Sequence, residues 1–360
     1  MRQKIISFDY FINCPNLYNG DYRLFVQSDI KRTKGGEHMS KNYQAQSMPD
    51  PETLASNSVK SIASLQDVFC TSLKGKVAIV TGGATGLGYN IVNRLCEAGA
   101  SVVIASRNET RGKRAAFEFR ERGYETSWVR TDVTRVEDCY AAVDFAVKTY
   151  GKLDVLVANA AGWSSYSYLD VPEEIFDRVV DTDLKGAYFI GQAAAKVMVR
   201  DKIKGKIVFI ASAAHMGEGQ AHVCMNTFYI AAKAGVVAMT KGIAGELRQY
   251  GINVNCVAPG GMLSAGVFTE GSEAASLYGE EFIKTCQAHS QATPIAMNPD
   301  MVALSVFALC TPMADFMVGE TVNVNGGVLM NIQEKPFSFT VEGCIPGPKN
   351  NKQKEETNYG

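Results

Sequence analysis

Residues 77–88 read VAIVTGGATGLG, and this stretch decides the fold. Its first four residues are all apolar, which is typical of a parallel strand buried on both faces. A glycine-rich turn follows, in which Gly82, Gly86 and Gly88 let the backbone turn tightly. Apolar residues then recur at helical spacing as far as Gly99, a residue type that ends helices. The stretch predicts a buried strand, a tight turn and an amphipathic helix.

The same alternation continues to about residue 330. The pattern predicts strands at 102–105, 126–130, 153–157, 207–211 and 252–257, helices at 109–122, 136–150, 172–202 and 227–250, and the segments 301–309 and 321–324 complete the series. Seven short strands that alternate with helices predict a doubly wound parallel α/β sheet, formed as a single domain over residues 74–330.

Composition excludes several classes of protein. The chain has 360 residues, of which 46% are hydrophobic, with 36 basic and 37 acidic residues. Such a chain is globular, and its near-zero net charge gives no field that would attract nucleic acid or an anionic membrane. Its nine cysteines are scattered without a Cys-x-x-Cys pair, so we expect reduced thiols and no metal site. No apolar run approaches the ~20 residues of a membrane span, which predicts a soluble, cytoplasmic protein.

The two ends of the chain lie outside the alternation. Residues 1–70 show no sustained period and predict a mostly disordered extension, and residues 331–360 predict a C-terminal tail. Residues 34–38, KGGEH, back-translate to the purine-rich AAAGGAGGUGAACAU immediately before the codon of Met39. We hypothesise that this is a bacterial ribosome-binding sequence, that translation begins at Met39 and that residues 1–38 are untranslated leader. An ordinary loop is the alternative.

Four further motifs follow the glycine-rich turn in order. They are NAAG at 159–162, YIAAK at 229–233, Pro259-Gly260 and NGG at 325–327. With them, residues 74–330 resemble the short-chain dehydrogenase/reductase family. The resemblance implies a Rossmann fold, NAD(P)-dependent chemistry on the CH–OH group of a small-molecule substrate, and assembly into a homodimer or homotetramer.

The YIAAK motif predicts acid–base chemistry. Tyr229 and Lys233 stand four residues apart and so share one helix face. A free tyrosine has a pKa of about 10, and a nearby ammonium lowers it, which makes the phenol a competent acid or base for an alcohol proton. The resemblance adds Ser212, which would hydrogen-bond the substrate oxygen. The alternative is a surface Tyr–Lys pair beside a structural serine.

The chain departs from the family pattern at two places. Asp183 stands where family members usually carry an asparagine that holds a relay water near the lysine. A carboxylate accepts from water but cannot donate while ionised, so we expect an altered relay that also favours a charged Lys233. The interval from Ser212 to Tyr229 is about four residues longer than is usual. Its His215 and His222 either touch substrate or, as we favour, are exposed loop residues.

The cofactor contacts are carried over from the family motifs. The resemblance assigns the pyrophosphate and the neighbouring turn to Gly82, Gly86, Leu87, Gly88 and Asn159. It assigns the adenine to Asp132 and Val133. It assigns the nicotinamide side to Tyr229, Lys233, Pro259, Gly260 and Ser264. At the ribose, Ser106 replaces the aspartate of NAD-preferring members, and Arg107 follows it, which suits a 2′-phosphate. We therefore expect NADP, with NAD as the alternative. Arg111 and Arg114 add positive charge nearby, and a plain solvated Arg107 is the competing interpretation.

The predicted substrate segments are apolar and aromatic. Residues 163–168 and 262–283 contain Trp, Tyr, Phe, Leu and Met but neither Arg nor Lys. Flat apolar walls favour a bulky alicyclic substrate such as a hydroxysteroid or bile acid, and residues 336–341 of the tail would add a further wall. A polyol or sugar (ketose or gluconate type) is the alternative, and a nucleotide-binding pseudoenzyme is a third hypothesis.

Overall fold

A computed structural model of the chain describes residues 72–164, 166–216, 226–260, 262 and 298–325. The predicted extension at 1–70 and the tail at 331–360 lie outside these ranges, as do His222 and Ser264. Within the described part, no helix is both long and apolar enough to cross a membrane.

The centre of the fold is a seven-stranded sheet. Its strands are β1 Val77–Thr81, β2 Ser101–Ser106, β3 Thr126–Arg130, β4 Val155–Ala158, β5 Lys206–Ile210, β6 Asn253–Pro259 and β7 Thr321–Val324. All neighbouring pairs are parallel, in the order β3-β2-β1-β4-β5-β6-β7. This confirms the predicted doubly wound sheet. The strand order reverses between β1 and β4, which opens a crevice at the carboxyl ends of these strands.

Helices cover both faces of the sheet. They are α1 Gly86–Glu97, α2 Glu109–Glu121, α3 Val136–Tyr150, α4 Glu173–Val180, α5 Ala187–Arg200, α6 Thr227–Leu247 and α7 Pro299–Cys310. Alternate residues of β1 enter two separate cores: Ile79 packs with α3, α5 and α6, whereas Val80 packs with α1, α2 and α7. The central strands are buried on both faces, which is why they read as continuous apolar runs.

One predicted helix is not continuous. The stretch expected at 172–202 is divided into α4 and α5 by a π-helical turn, Asp181–Gly186. Single π turns within helices often occur at functional sites. This one carries Asp183, which is buried.

Candidate active site

The glycine-rich turn leaves the N-terminus of α1 open at the crevice. Gly82 and Gly86 have φ of +65° and +57°, and the Gly82 N–H donates to the Ala105 carbonyl at 2.7 Å. A Cβ on Gly88 would overlap the Gly82 carbonyl oxygen and lie 2.7 Å from Asn159 Nδ2, so only glycine fits there. The first turn of α1 contains no acidic residue and no side chain caps it. Its free N–H groups therefore suit a pyrophosphate.

Hydrogen bonds at Asn159 connect the end of β4 to this turn. Its Nδ2 donates to the Thr81 carbonyl at 2.9 Å, and the Thr81 hydroxyl accepts from the N–H groups of Asn159 and Ala160, both at 2.9 Å. Thr81 was not singled out from the sequence. These bonds fix the two walls of the crevice against each other.

A buried ion pair lies on the other side of the crevice. Lys233 of α6 places its Nζ 2.8 Å from Asp183 Oδ1, and each residue is only 1% exposed. The second oxygen of Asp183 accepts from the Gly162 N–H at 2.8 Å, and Lys233 also donates to the Ile210 carbonyl at 3.0 Å. The carboxylate of Asp183 thus contacts the lysine directly.

Burial and charge act in opposite directions on this pair. Burial raises the pKa of Asp183, while the Lys233 ammonium and the Gly162 N–H oppose the rise. Burial lowers the pKa of Lys233, but the charges of Asp183 and Tyr229 outweigh it, so that its pKa is raised. The lysine therefore stays charged at neutral pH.

Tyr229 and Ser212 belong to the two chain segments that Lys233 contacts. The Lys233 Nζ lies 5.6 Å from the centroid of the half-buried Tyr229 ring. Ser212 follows β5, two residues after the Ile210 carbonyl that Lys233 binds, and its Oγ accepts from the Ala214 N–H at 3.2 Å. The 3₁₀ turn Ala213–Met216 packs against α6. The structure thus brings the predicted catalytic residues to one end of β5 and α6.

His215 belongs to that 3₁₀ turn. It is half-buried rather than exposed, and its Nε2 lies 3.2 Å from Asn323 Oδ1 at the end of β7. The loop prediction therefore needs correction for His215, because the turn holds its ring against the sheet.

The far end of the crevice is bounded by β2 and β3. Trp128 Nε1 donates to Ser106 Oγ at 2.9 Å, and Arg107 is exposed and enters no ion pair among the described residues. Arg114, which the sequence offered as an additional cation, is paired with Glu118 at 2.8 Å. Arg130 stands opposite Ser106 in the strand register. Neither Trp128 nor Arg130 was singled out from the sequence, since only the register places them beside Ser106.

The remaining predicted cofactor residues end strands around the same edge. Asp132 Oδ1 accepts from the Thr134 N–H and hydroxyl at 3.1 and 2.8 Å, and Val133 is buried. Pro259 ends β6, and the Gly260 N–H donates to the Val324 carbonyl at 3.0 Å. All of them therefore lie at carboxyl ends of strands, where an open parallel sheet binds ligands.

Comparison with known proteins identifies the family. The short chain dehydrogenase family model matches residues 76–274. The chain belongs to the short-chain dehydrogenase/reductase family. Members bind NAD(P) and small-molecule substrates, and this protein is an oxidoreductase acting on CH–OH groups.

Three relatives show the breadth of the family. A (21S)-21-acetoxyl-apo-melianone synthase from Melia azedarach is 35% identical over 71% of this chain and 90% of its own. Galactitol 2-dehydrogenase from Agrobacterium fabrum is 32% identical over 72% and 99%. The crystal structure of an actinorhodin polyketide ketoreductase with NADPH matches with a TM-score of 0.63 at 31% identity, covering 70% of this chain and 97% of that one.

Proposed function

We propose that this short-chain dehydrogenase/reductase interconverts a secondary alcohol and a ketone with NADP(H). The observation that carries the proposal is the fully buried Lys233, held at 2.8 Å by Asp183 with its ammonium beside the Tyr229 ring. A buried cation next to a phenol favours the phenolate, which makes Tyr229 the acid or base.

In the proposed mechanism each side chain has one task. The Tyr229 phenolate takes the alcohol proton during oxidation, and the resulting phenol returns it during reduction, while Lys233 stabilises the phenolate. Ser212 donates a hydrogen bond to the substrate oxygen, which holds the reacting carbon in place. Asp183 positions Lys233. The nicotinamide, when bound, accepts or supplies the hydride.

The NADP preference is proposed from the chemistry around Ser106. Arg107 is exposed and unpaired among the described residues, and no carboxylate occupies the Ser106 position. An aspartate there would accept from a ribose hydroxyl, whereas a guanidinium binds a phosphate through charge-assisted bonds. The solved relative with NADPH is consistent with this preference.

For the substrate we propose a bulky alicyclic alcohol such as a hydroxysteroid or bile acid. Gly162 donates its N–H to Asp183, and the segment that follows it includes Tyr168 and Leu169 with exposed side chains. Residues 163–169 contain no Arg or Lys. Such apolar surface suits a ring system, and an anionic sugar would need a fixed cation. A polyol is the second candidate, because galactitol 2-dehydrogenase is a relative.

Steady-state kinetics with a matched panel tests the proposal. Initial rates with NADP⁺ and NAD⁺ would be measured on a hydroxysteroid, a bile acid, galactitol and gluconate. We expect the highest kcat/KM with NADP⁺ and a steroid or bile acid. Higher efficiency on galactitol would establish the polyol alternative, and no turnover of any alcohol would contradict the catalytic assignment.

We further infer that the protein works as a cytoplasmic homodimer or homotetramer. Tyr188 of α5 and both Met301 and Leu304 of α7 are exposed apolar residues on helices that flank the sheet. Met301 and Leu304 stand three residues apart and so share one face of α7, an apolar surface that a second subunit would bury. Light scattering coupled to size exclusion would measure the number of subunits, and a monomer at micromolar concentration would contradict the inference.

A further inference from the structure

Trp128 reaches from β3 to the last residue of β2. In the parallel register Trp128 lies opposite Ile104 and Arg130 lies opposite Ser106, so the indole meets Ser106 diagonally. The Nε1–Oγ distance is 2.9 Å, and Ser106 is only 9% exposed. The hydrogen bond is therefore largely protected from water.

Helix α2 packs closely against the Trp128 indole. A Cβ on Gly112 would overlap the Trp128 ring, with Cε2 at 2.7 Å, so the helix has a glycine where the ring passes. Lys113 of the same helix places its Nζ 5.7 Å from the ring centroid. Contact on these sides leaves the indole little freedom, and its N–H stays directed at Ser106.

The direction of this hydrogen bond decides what Ser106 offers to a ligand. An indole N–H only donates, so the serine oxygen is the acceptor and the serine proton must point elsewhere. Among the described residues, the Ser106 hydroxyl has no acceptor for that proton. The next residue, Arg107, is an exposed cation. The serine proton and the guanidinium thus both offer hydrogen-bond donors to a ligand, which fits an acceptor-rich anion.

We propose that Trp128 is a positioning residue for cofactor choice: it fixes the Ser106 hydroxyl as a hydrogen-bond donor to the 2′-phosphate of NADP(H). This inference rests on the proposed NADP preference. A 2′-hydroxyl of NAD(H) can also accept from Ser106, but that bond is neutral and about half as strong as the bond to a phosphate. The arrangement therefore favours NADP(H) without any new charge.

Calorimetric titration with NADPH and NADH tests the proposal without turnover. The proteins are the wild type, Ser106→Ala, Trp128→Phe and the double variant, and the quantity compared is the ratio of the two dissociation constants. We expect Ser106→Ala to reduce the preference for NADPH about tenfold and Trp128→Phe about threefold. Because the tryptophan acts through the serine, the double variant should resemble Ser106→Ala rather than show the product of both effects.

Phe119→Leu is the matched control, since Phe119 is buried in the same core and its ring packs against Tyr89 and Tyr124. It should lower stability and leave the ratio unchanged. If Trp128→Phe fails to fold, ¹⁵N-labelled tryptophan gives a second measurement: the chain has two tryptophans, and the Trp128 indole N–H signal should move on NADP⁺ binding and in Ser106→Ala.

The outcomes separate the two proposals. Equal affinity of the wild type for NADPH and NADH would overturn the NADP preference and this inference with it. A wild-type preference that survives Trp128→Phe undiminished, or effects of the two variants that multiply, would overturn the role of Trp128 alone.

Discussion

The two ends of the crevice hold cations in opposite situations. Lys233 is 1% exposed and already has Asp183 and the Ile210 carbonyl as partners, whereas Arg107 is exposed and has no ion-pair partner among the described residues. The protein itself keeps the first charged, since Asp183 and Tyr229 outweigh the effect of burial on its pKa. The second contributes only when a ligand supplies an anion. In the proposed mechanism, catalysis therefore depends on interior residues, whereas cofactor choice depends on an exposed residue that a single substitution can change.

The largest effect is expected at the interior end, from Tyr229→Phe. This change removes only the titrating hydroxyl beside Lys233, so turnover should fall by about 10²–10⁴-fold while the dissociation constant of NADPH stays unchanged. Single-turnover kinetics and calorimetry measure the two quantities. Tyr250→Phe, at an exposed tyrosine, is the control and should behave as the wild type. Near-normal turnover of Tyr229→Phe would remove the basis for the contrast between the two ends.

The next effect concerns the backbone between the two ends. In Gly88→Ala the new Cβ overlaps the Gly82 carbonyl oxygen, and we expect about 1–3 kcal/mol of lost stability together with strongly weakened cofactor binding. Thermal unfolding and NADPH titration measure both. Gly242→Ala, within α6 where nothing lies near the new methyl group, should be neutral or slightly stabilising. Unimpaired NADPH binding by Gly88→Ala would show that the turn does not approach the pyrophosphate.

The sequence predicts some features of the fold and of the site better than others. The strands and the glycine-rich turn were predictable, because burial on both faces and close backbone approach act on consecutive residues. The direct Asp183–Lys233 contact was not, because it joins side chains of two elements that lie far apart in the sequence. The Trp128–Ser106 bond depends on strand register in the same way. Interactions between neighbours along the chain can be predicted from the sequence, whereas interactions between elements depend on how the elements pack.

At the exposed end, Arg107→Ala sharpens the comparison. If its guanidinium is available to a 2′-phosphate, the ratio of kcat/KM for NADP⁺ over NAD⁺ should fall by about tenfold or more, because a hydrogen-bonded charge contact is lost. Arg114→Ala is the matched control, because that guanidinium is already paired with Glu118 and its removal should leave the ratio unchanged. If Arg107→Ala keeps the same NADP⁺-to-NAD⁺ ratio of kcat/KM as Arg114→Ala, Arg107 does not contact the cofactor.

The smallest effect is expected from Asp183→Asn, which keeps the shape of the side chain and removes the charge that faces Lys233. Other groups near the ammonium are Tyr229 and Cys256, and burial raises the pKa of the Cys256 thiol to about 11, so this thiol is neutral at the working pH. Without the carboxylate, burial lowers the pKa of Lys233 with less to oppose it, so the ammonium loses its proton more easily and stabilises the Tyr229 phenolate less. Since oxidation needs the phenolate, the rise of log kcat with pH should move to higher pH, by about one unit or less. Activity itself should persist. A rate that falls equally at every pH with an unmoved midpoint, accompanied by a lower Tm, would mean that Asp183 serves only to satisfy the Gly162 N–H in the interior. The midpoint of the pH dependence of kcat therefore decides whether Asp183 controls the electrostatic effect of Lys233 on Tyr229.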